Sequence, residues 1–131
     1  MSISRQLIKA ARDNPGKLTY GSAGNGSASH VATLLLNHVA KIDTLHVPYR
    51  GAGPGITDLV AGHIPMMFLN VTSQVLEQHR SGTIRLIAVL TPKRIGVLPD
   101  VEAAAETMPQ LVAQLFTGLF VPAATPKEII G

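Results

Sequence analysis

The stretch Leu18-Thr19-Tyr20-Gly21-Ser22-Ala23-Gly24-Asn25-Gly26-Ser27-Ala28-Ser29-His30 holds the parts of one strand-to-helix unit in order. Residues 18–21 have strand character, residues 22–26 carry the glycines of a turn, and Ser27 is an N-cap residue type ahead of a helix to about Ala40. Working toward the C-terminus, residues 44–47 predict a second strand, and 48–53 a loop. Pro54 suits the first position of a third helix that ends near Ala61. Residues 64–69 then predict a strand, 71–80 a helix closed by Ser81-Gly82, and 84–90 a nearly continuous apolar strand of the kind covered on both faces in a parallel sheet. Toward the N-terminus, Ile3, Leu7, Ile8 and Ala11 share one helical face, with Ser2 or Ser4 as cap and Asn14-Pro15-Gly16 as stop. Strand and helix alternate four times. The fold class is therefore α/β, a mostly parallel sheet flanked by helices.

Beyond Thr91-Pro92 the pattern weakens: a loop over 93–100, a short helix over 101–107, an isolated apolar strand over 115–121, and the start of a helix over 125–131. Pro126 behind Thr125 opens that last helix well, and only five residues follow it. The sequence thus predicts a folding unit cut from a longer chain, with residues 1–110 as the α/β unit and 111–131 as a crossover.

At 131 residues the length suits one domain. Apolar residues are 46% and charged residues 15%, with a mean hydropathy of +0.27, which excludes disorder. The apolar runs, such as residues 31–36 with Thr33 inside it, are far short of the roughly 20 residues of a spanning helix. Net charge is +3, but the one adjacent basic pair is Lys93-Arg94, and so dispersed an excess argues against nucleic acid as a partner. The absence of cysteine excludes disulfides and thiol chemistry. The N-terminal helix lacks the apolar core and cleavage site of a signal peptide, so either the protein is cytoplasmic or a signal has been removed.

In an open parallel sheet, ligands bind beyond the carboxyl ends of the strands. Three loops fit. The first, Gly21 to Ser27, sets Ser22, Ala23, Gly24, Gly26 and Ser27 at a helix N-terminus, where unpaired N–H groups and the helix dipole favour an anion. The alternative is a tight turn with Ser27 acting only as cap. No lysine follows Gly26 and Ser29 stands where a third glycine belongs, so neither nucleotide fingerprint is met. The second loop brings Tyr49, Arg50 and Gly51. Arg50 suits a two-pronged hold on a carboxylate, and otherwise is a solvated cation beside a packed Tyr49. The third loop begins at Asn70, with Thr72 and Ser73 behind it and no acid at its mouth. Catalysis and metal find little footing. His30 and His38 are about 80° out of register on their helix, and a Ser27, His30 and Asp58 triad puts two of its members in one turn without a strained elbow. His30 is better explained as a structural residue. No cofactor is implied.

Lys17-Leu18-Thr19-Tyr20-Gly21-Ser22, Gly24-x-Gly26-Ser27-x-x-His30 and His46-Val47-Pro48-Tyr49-Arg50-Gly51 together resemble the Bug family of extracytoplasmic solute receptors. So do Thr57-Asp58-Leu59, Met67-Phe68, Leu98-Pro99-Asp100-Val101 and Gly118-Leu119-Phe120-Val121-Pro122-Ala123, in the same order along nearly the whole chain. The resemblance implies a type II periplasmic binding protein, of which this chain is the second lobe. It implies a small organic di- or tricarboxylate as ligand, held by main-chain N–H groups and ordered waters, and membrane transporter subunits as partners of the full-length protein. The location it implies is the periplasm. Ser22, Ala23, Gly24, Gly26 and Ser27 would form the anion site, with Tyr49, Arg50 and Gly51 near it.

Two departures bear on the ligand. Where many members have an acid after the Met-Phe pair, this chain has Leu69 and Asn70, which disfavours an amino-acid ligand. Phe116-Thr117 replaces the usual Trp-Phe. An effector-sensing domain of a transcription regulator shares the architecture and is the alternative. The lone strand over 115–121 would offer an unpaired edge, so self-association is expected of the chain.

Overall fold

The computed structural model describes residues 2–115 and 117–131. Met1, and with it Phe116 of the Phe116-Thr117 departure, lies outside them. The first helix, α1 (Ile3–Asp13), is capped by Ser2, whose hydroxyl accepts from the Arg5 N–H. Its buried Ile8 and Ala11 pack with Leu36, Ala40, Ile42, Ala104 and Leu111 into the main core. Arg12 reaches from the last turn of α1 to the Ala40 carbonyl at 2.7 and 3.1 Å, satisfying one of the orphan acceptors at the end of the next helix.

Strand β1 (Thr19–Ser22) pairs in parallel with β2 (Leu45–Pro48), in the register Thr19 with Leu45 through Ser22 with Pro48. Between them α2 (Ala28–Ala40) supplies the crossover that a parallel pair requires. On its other side β1 meets residues 64–69: the Gly21 N–H donates to the Met66 carbonyl at 3.0 Å, and Gly21 bridges Met67 in parallel. β1 is thus the middle of three extended segments. Gly21 is required there by close approach, because a Cβ would lie 2.5 Å from Ile64 Cδ1.

Three predicted strands form no ladder among the described residues. Over 64–69 the pairing stops at the one bridge, and Pro65 has no N–H to extend it. Residues 84–90 make a single parallel bridge, Val89 with Ala103. Their remaining bonds go elsewhere: the Leu86 N–H donates to His79 Nδ1 and Leu90 O accepts from Ala113 N–H. Of this run only Val89 is buried, in a second small core with Leu98, Val101 and Ala103, so the expectation of cover on both faces fails. Over 115–121 no strand forms among the described residues, and Leu119 and Phe120 are exposed.

Helix boundaries also shift. α3 (Ala52–Ala61) starts two residues before Pro54, which therefore sits inside the first turn, where its missing N–H costs nothing. α4 (Ser73–Arg80) starts behind Thr72, whose hydroxyl accepts from the Val75 N–H. The short helix over 101–107 contracts to a 3-10 turn, Ala104–Glu106, and the last helix, α5, spans Lys127–Ile130. With these shifts the architecture remains α/β, with parallel pairing throughout.

Candidate functional site

The β1–α2 and β2–α3 loops leave the same end of a parallel pair, and main-chain bonds tie them together. Tyr49 N–H donates to the Ser22 carbonyl at 3.0 Å, and Gly51 N–H to the Ala23 carbonyl at 3.1 Å. Both loops therefore end side by side at helix N-termini. α2 is capped by Ser27, while the cap position of α3 is Gly51, which has no side chain to offer the free N–H groups of the helix. A cleft of about 900 Å³ opens in front of them, lined on this side by Ala23, Gly26, Ala28, Ser29, Ala52 and Asn70. No carboxylate lines it among the described residues.

Within the first loop, side chains take up several of the amides that the sequence assigns to a ligand. Ala23 N–H donates to Ser29 Oγ (2.9 Å), Gly24 N–H to Ser22 Oγ (3.1 Å) and Gly26 N–H to His30 Nδ1 (3.0 Å). Ser27 Oγ donates to the Gly24 carbonyl at 2.7 Å. The N–H groups of Asn25, Ala28 and Ser29 have no partner among the described residues. The open donors are thus Asn25, two residues before the cap, and the first two residues of the helix, whose N–H groups lack an intrahelical partner.

Ala23, Gly26 and Asn70 line the cleft, and Ser22, Gly24, Ser27, Tyr49, Arg50 and Gly51 stand behind or beside it. Ser22 is fully buried, with its Oγ 2.5 Å from His46 Nε2. Tyr49 donates its hydroxyl to Asp58 Oδ2 at 2.7 Å. That bond raises the Tyr49 phenol above its ordinary range, and the same bond, with a second from His63, holds the Asp58 carboxyl below its own. Arg50 is exposed and without a hydrogen bond or ion pair among the described residues. The paper triad dissolves: Asp58 serves Tyr49 and His63, and Ser27 caps its helix.

Two features escape a reading by motif. One is Ser29, whose hydroxyl stabilises the loop through Ala23. The other is a ring stack in which His30 lies on His46, centroids 4.0 Å apart and planes at 6°, and His46 lies on Tyr20 at 5.0 Å. Burial, and then the neighbouring His30, push the His46 imidazole below the usual histidine range. The pairing of Tyr20 with His46 follows from strand register, which the sequence does not state.

A family model described as tripartite tricarboxylate transporter family receptor matches residues 2–131. A UPF0065 protein in the tcbD-tcbE intergenic region of Pseudomonas sp. (strain P51) is 42% identical over 127 residues, 95% of this chain and 38% of that protein. BugT of Bordetella pertussis is 31% identical over 125 residues, 95% of this chain and 38% of that one. Among solved structures, R. palustris Rpa4515 with adipate superposes with a TM-score of 0.87 at 30% identity, over 98% of this chain and 43% of that one. MatC from Rhodopseudomonas palustris with bound malate gives 0.86 at 30% identity, over 98% and 44%. The chain therefore spans well under half the length of these relatives.

Proposed function

Since this chain belongs to the tripartite tricarboxylate transporter family of receptors, we propose that it binds a small organic di- or tricarboxylate and forms the second lobe of a receptor for it. The supporting observation is the convergence of two helix N-termini, with unpaired N–H groups, on a cleft that no carboxylate lines. In this reading the loop of Ser22, Ala23, Gly24, Gly26 and Ser27 presents the open N–H groups of Asn25, Ala28 and Ser29 to one carboxylate, and Gly51 and Asn70 complete the rim. Arg50, without a partner among the described residues, closes on the ligand from the second loop. Leu69 and Asn70 offer no anion to an ammonium group, which favours an organic acid over an amino acid.

The family and its solved neighbours are periplasmic binding proteins, which carry out no bond chemistry. Capture is then followed by closure of two lobes about a hinge and presentation to membrane transporter subunits. Residues 1–110 are the lobe and 111–131 the crossover in this proposal. No observation favours the regulator alternative.

The test is calorimetry with citrate, malate, adipate and aromatic acids on the full-length receptor, with amide chemical shifts followed on this chain at millimolar ligand. Binding of at least one carboxylate, with the Asn25, Ala28 and Ser29 amides moving most, is expected. Binding of a nucleotide and of no organic acid overturns the reading.

A further inference from the structure

Gly26 lines the cleft at the start of α2, yet its N–H is given to His30 Nδ1 at 3.0 Å. An imidazole nitrogen accepts a hydrogen bond only while it is unprotonated, so this contact requires a bare Nδ1, with the ring proton on Nε2. The groups facing His30 are few. From β2 comes His46, flat against it, and behind His46 comes Tyr20 of β1. The hydroxyls of Ser27 and Ser29 lie in its own first turn. Asp58 of α3 is engaged by Tyr49 and His63 and makes no bond to the stack. Desolvation, and then the neighbouring His30, lower the His46 imidazole below the usual histidine range.

We propose that His30 is a proton-operated latch on the anion site. Neutral, it withholds the Gly26 N–H. When a solvent proton adds to the Nδ1 lone pair, the ring turns from acceptor to donor, and the Gly26 N–H is released toward the cleft. The same step places a positive charge in the first turn of α2. A cation at a helix N-terminus opposes the dipole, so this charged state is unfavourable alone and is offset by a bound anion. Protonation and anion binding must then strengthen each other by the same factor. The inference rests on the carboxylate reading of the site and adds its regulation: ligand capture tightens with acid.

The experiment uses malate and adipate as probes between pH 8 and pH 6, a range above the ordinary carboxylate titration. In ligand-free protein the Gly26 amide resonance should follow the titration of the His30 ring. Affinity for the probes should rise about tenfold from pH 8 to pH 6, the effect of one added hydrogen bond to a charged group. Both effects should vanish in His30→Gln, which puts a glutamine three residues after the Ser27 cap, a capping-box pattern that preserves the helix start. His30→Asn serves as the second variant. A Gly26 resonance indifferent to the His30 titration overturns the latch, whatever binds. So does equal affinity at both pH values, or an undiminished pH effect in the variants. If Gly26 follows His30 but no carboxylate binds at either pH, the latch stands and the carboxylate reading falls.

Discussion

Gly26 takes a φ of +76°, and a Cβ built on it meets nothing within 4 Å. Aspartate tolerates that left-handed conformation at a cost of about 1 kcal/mol, so Gly26→Asp sets a carboxylate at the cleft without a clash. Malate or adipate binding should be lost, while Tm falls by only about 4 °C. Titration calorimetry beside thermal unfolding checks both, and unchanged affinity would move the site elsewhere. Gly24 is the poorer position for the same test. Its φ is +132° and its Cβ would stand 3.3 Å from the Tyr49 carbonyl, so strain and charge would change together. Tyr49 separates support from contact. Its hydroxyl is spent on Asp58, so Tyr49→Phe should lower Tm yet leave ligand affinity within about twofold, since no bond to the ligand is removed. A large loss of affinity at unchanged Tm would instead give the phenol a place against the ligand. The glycines and hydroxyls of the loop were legible in the sequence as donors. Their internal engagement was not, because the Ala23 to Ser29 and Gly26 to His30 bonds span six and four residues along a turn whose path only the folded chain fixes.

Elements with local signals are the ones the sequence located well. Ser2 and Ser27 cap the helices that follow them, and the cap chemistry lies within three residues of its target. Ladders depend on partners far along the chain, and there the sequence misled: the apolar run over 84–90 has a strand's composition but only the Ala103 bridge. The segment that supplies that bridge is held by a charged contact. Arg94 donates two bonds to Glu106, at 2.7 and 3.0 Å, and Glu106 accepts a third from the Ala103 N–H. Together they hold the Glu106 carboxyl down at about 2. A lowered carboxyl stabilises the fold above its unfolded-state value and loses that contribution as pH falls toward the folded value. Glu106→Gln should therefore lower Tm at pH 7, and the gap from wild type should close between about pH 4 and pH 2. Thermal melts across that range decide it: a gap constant with pH would mean the carboxylate charge contributes nothing.

For the whole molecule, the main core joins α1, α2, the 3-10 turn and Leu111, and it ends there. Past it, large apolar side chains stand in solvent: Leu119 is 98% exposed, Phe120 88% and Ile129 74%. The sequence anticipated self-association from an unpaired strand edge. With no strand over those positions among the described residues, the driving force is apolar side chains and not a row of unpaired backbone groups. That difference has a measurable form. Association through side chains weakens when they are made polar, whereas association through a ladder edge persists as long as the backbone is extended and free of proline. Sedimentation of this chain should show a monomer–dimer equilibrium at micromolar to millimolar concentration, and the double variant Leu119→Ser, Phe120→Ser should shift it to monomer without changing Tm, because neither side chain packs on the core. If the double variant still dimerises while Leu119→Pro does not, the backbone edge is the cause after all. A wild-type chain that stays monomeric throughout would mean that this apolar surface is too scattered to hold a second copy.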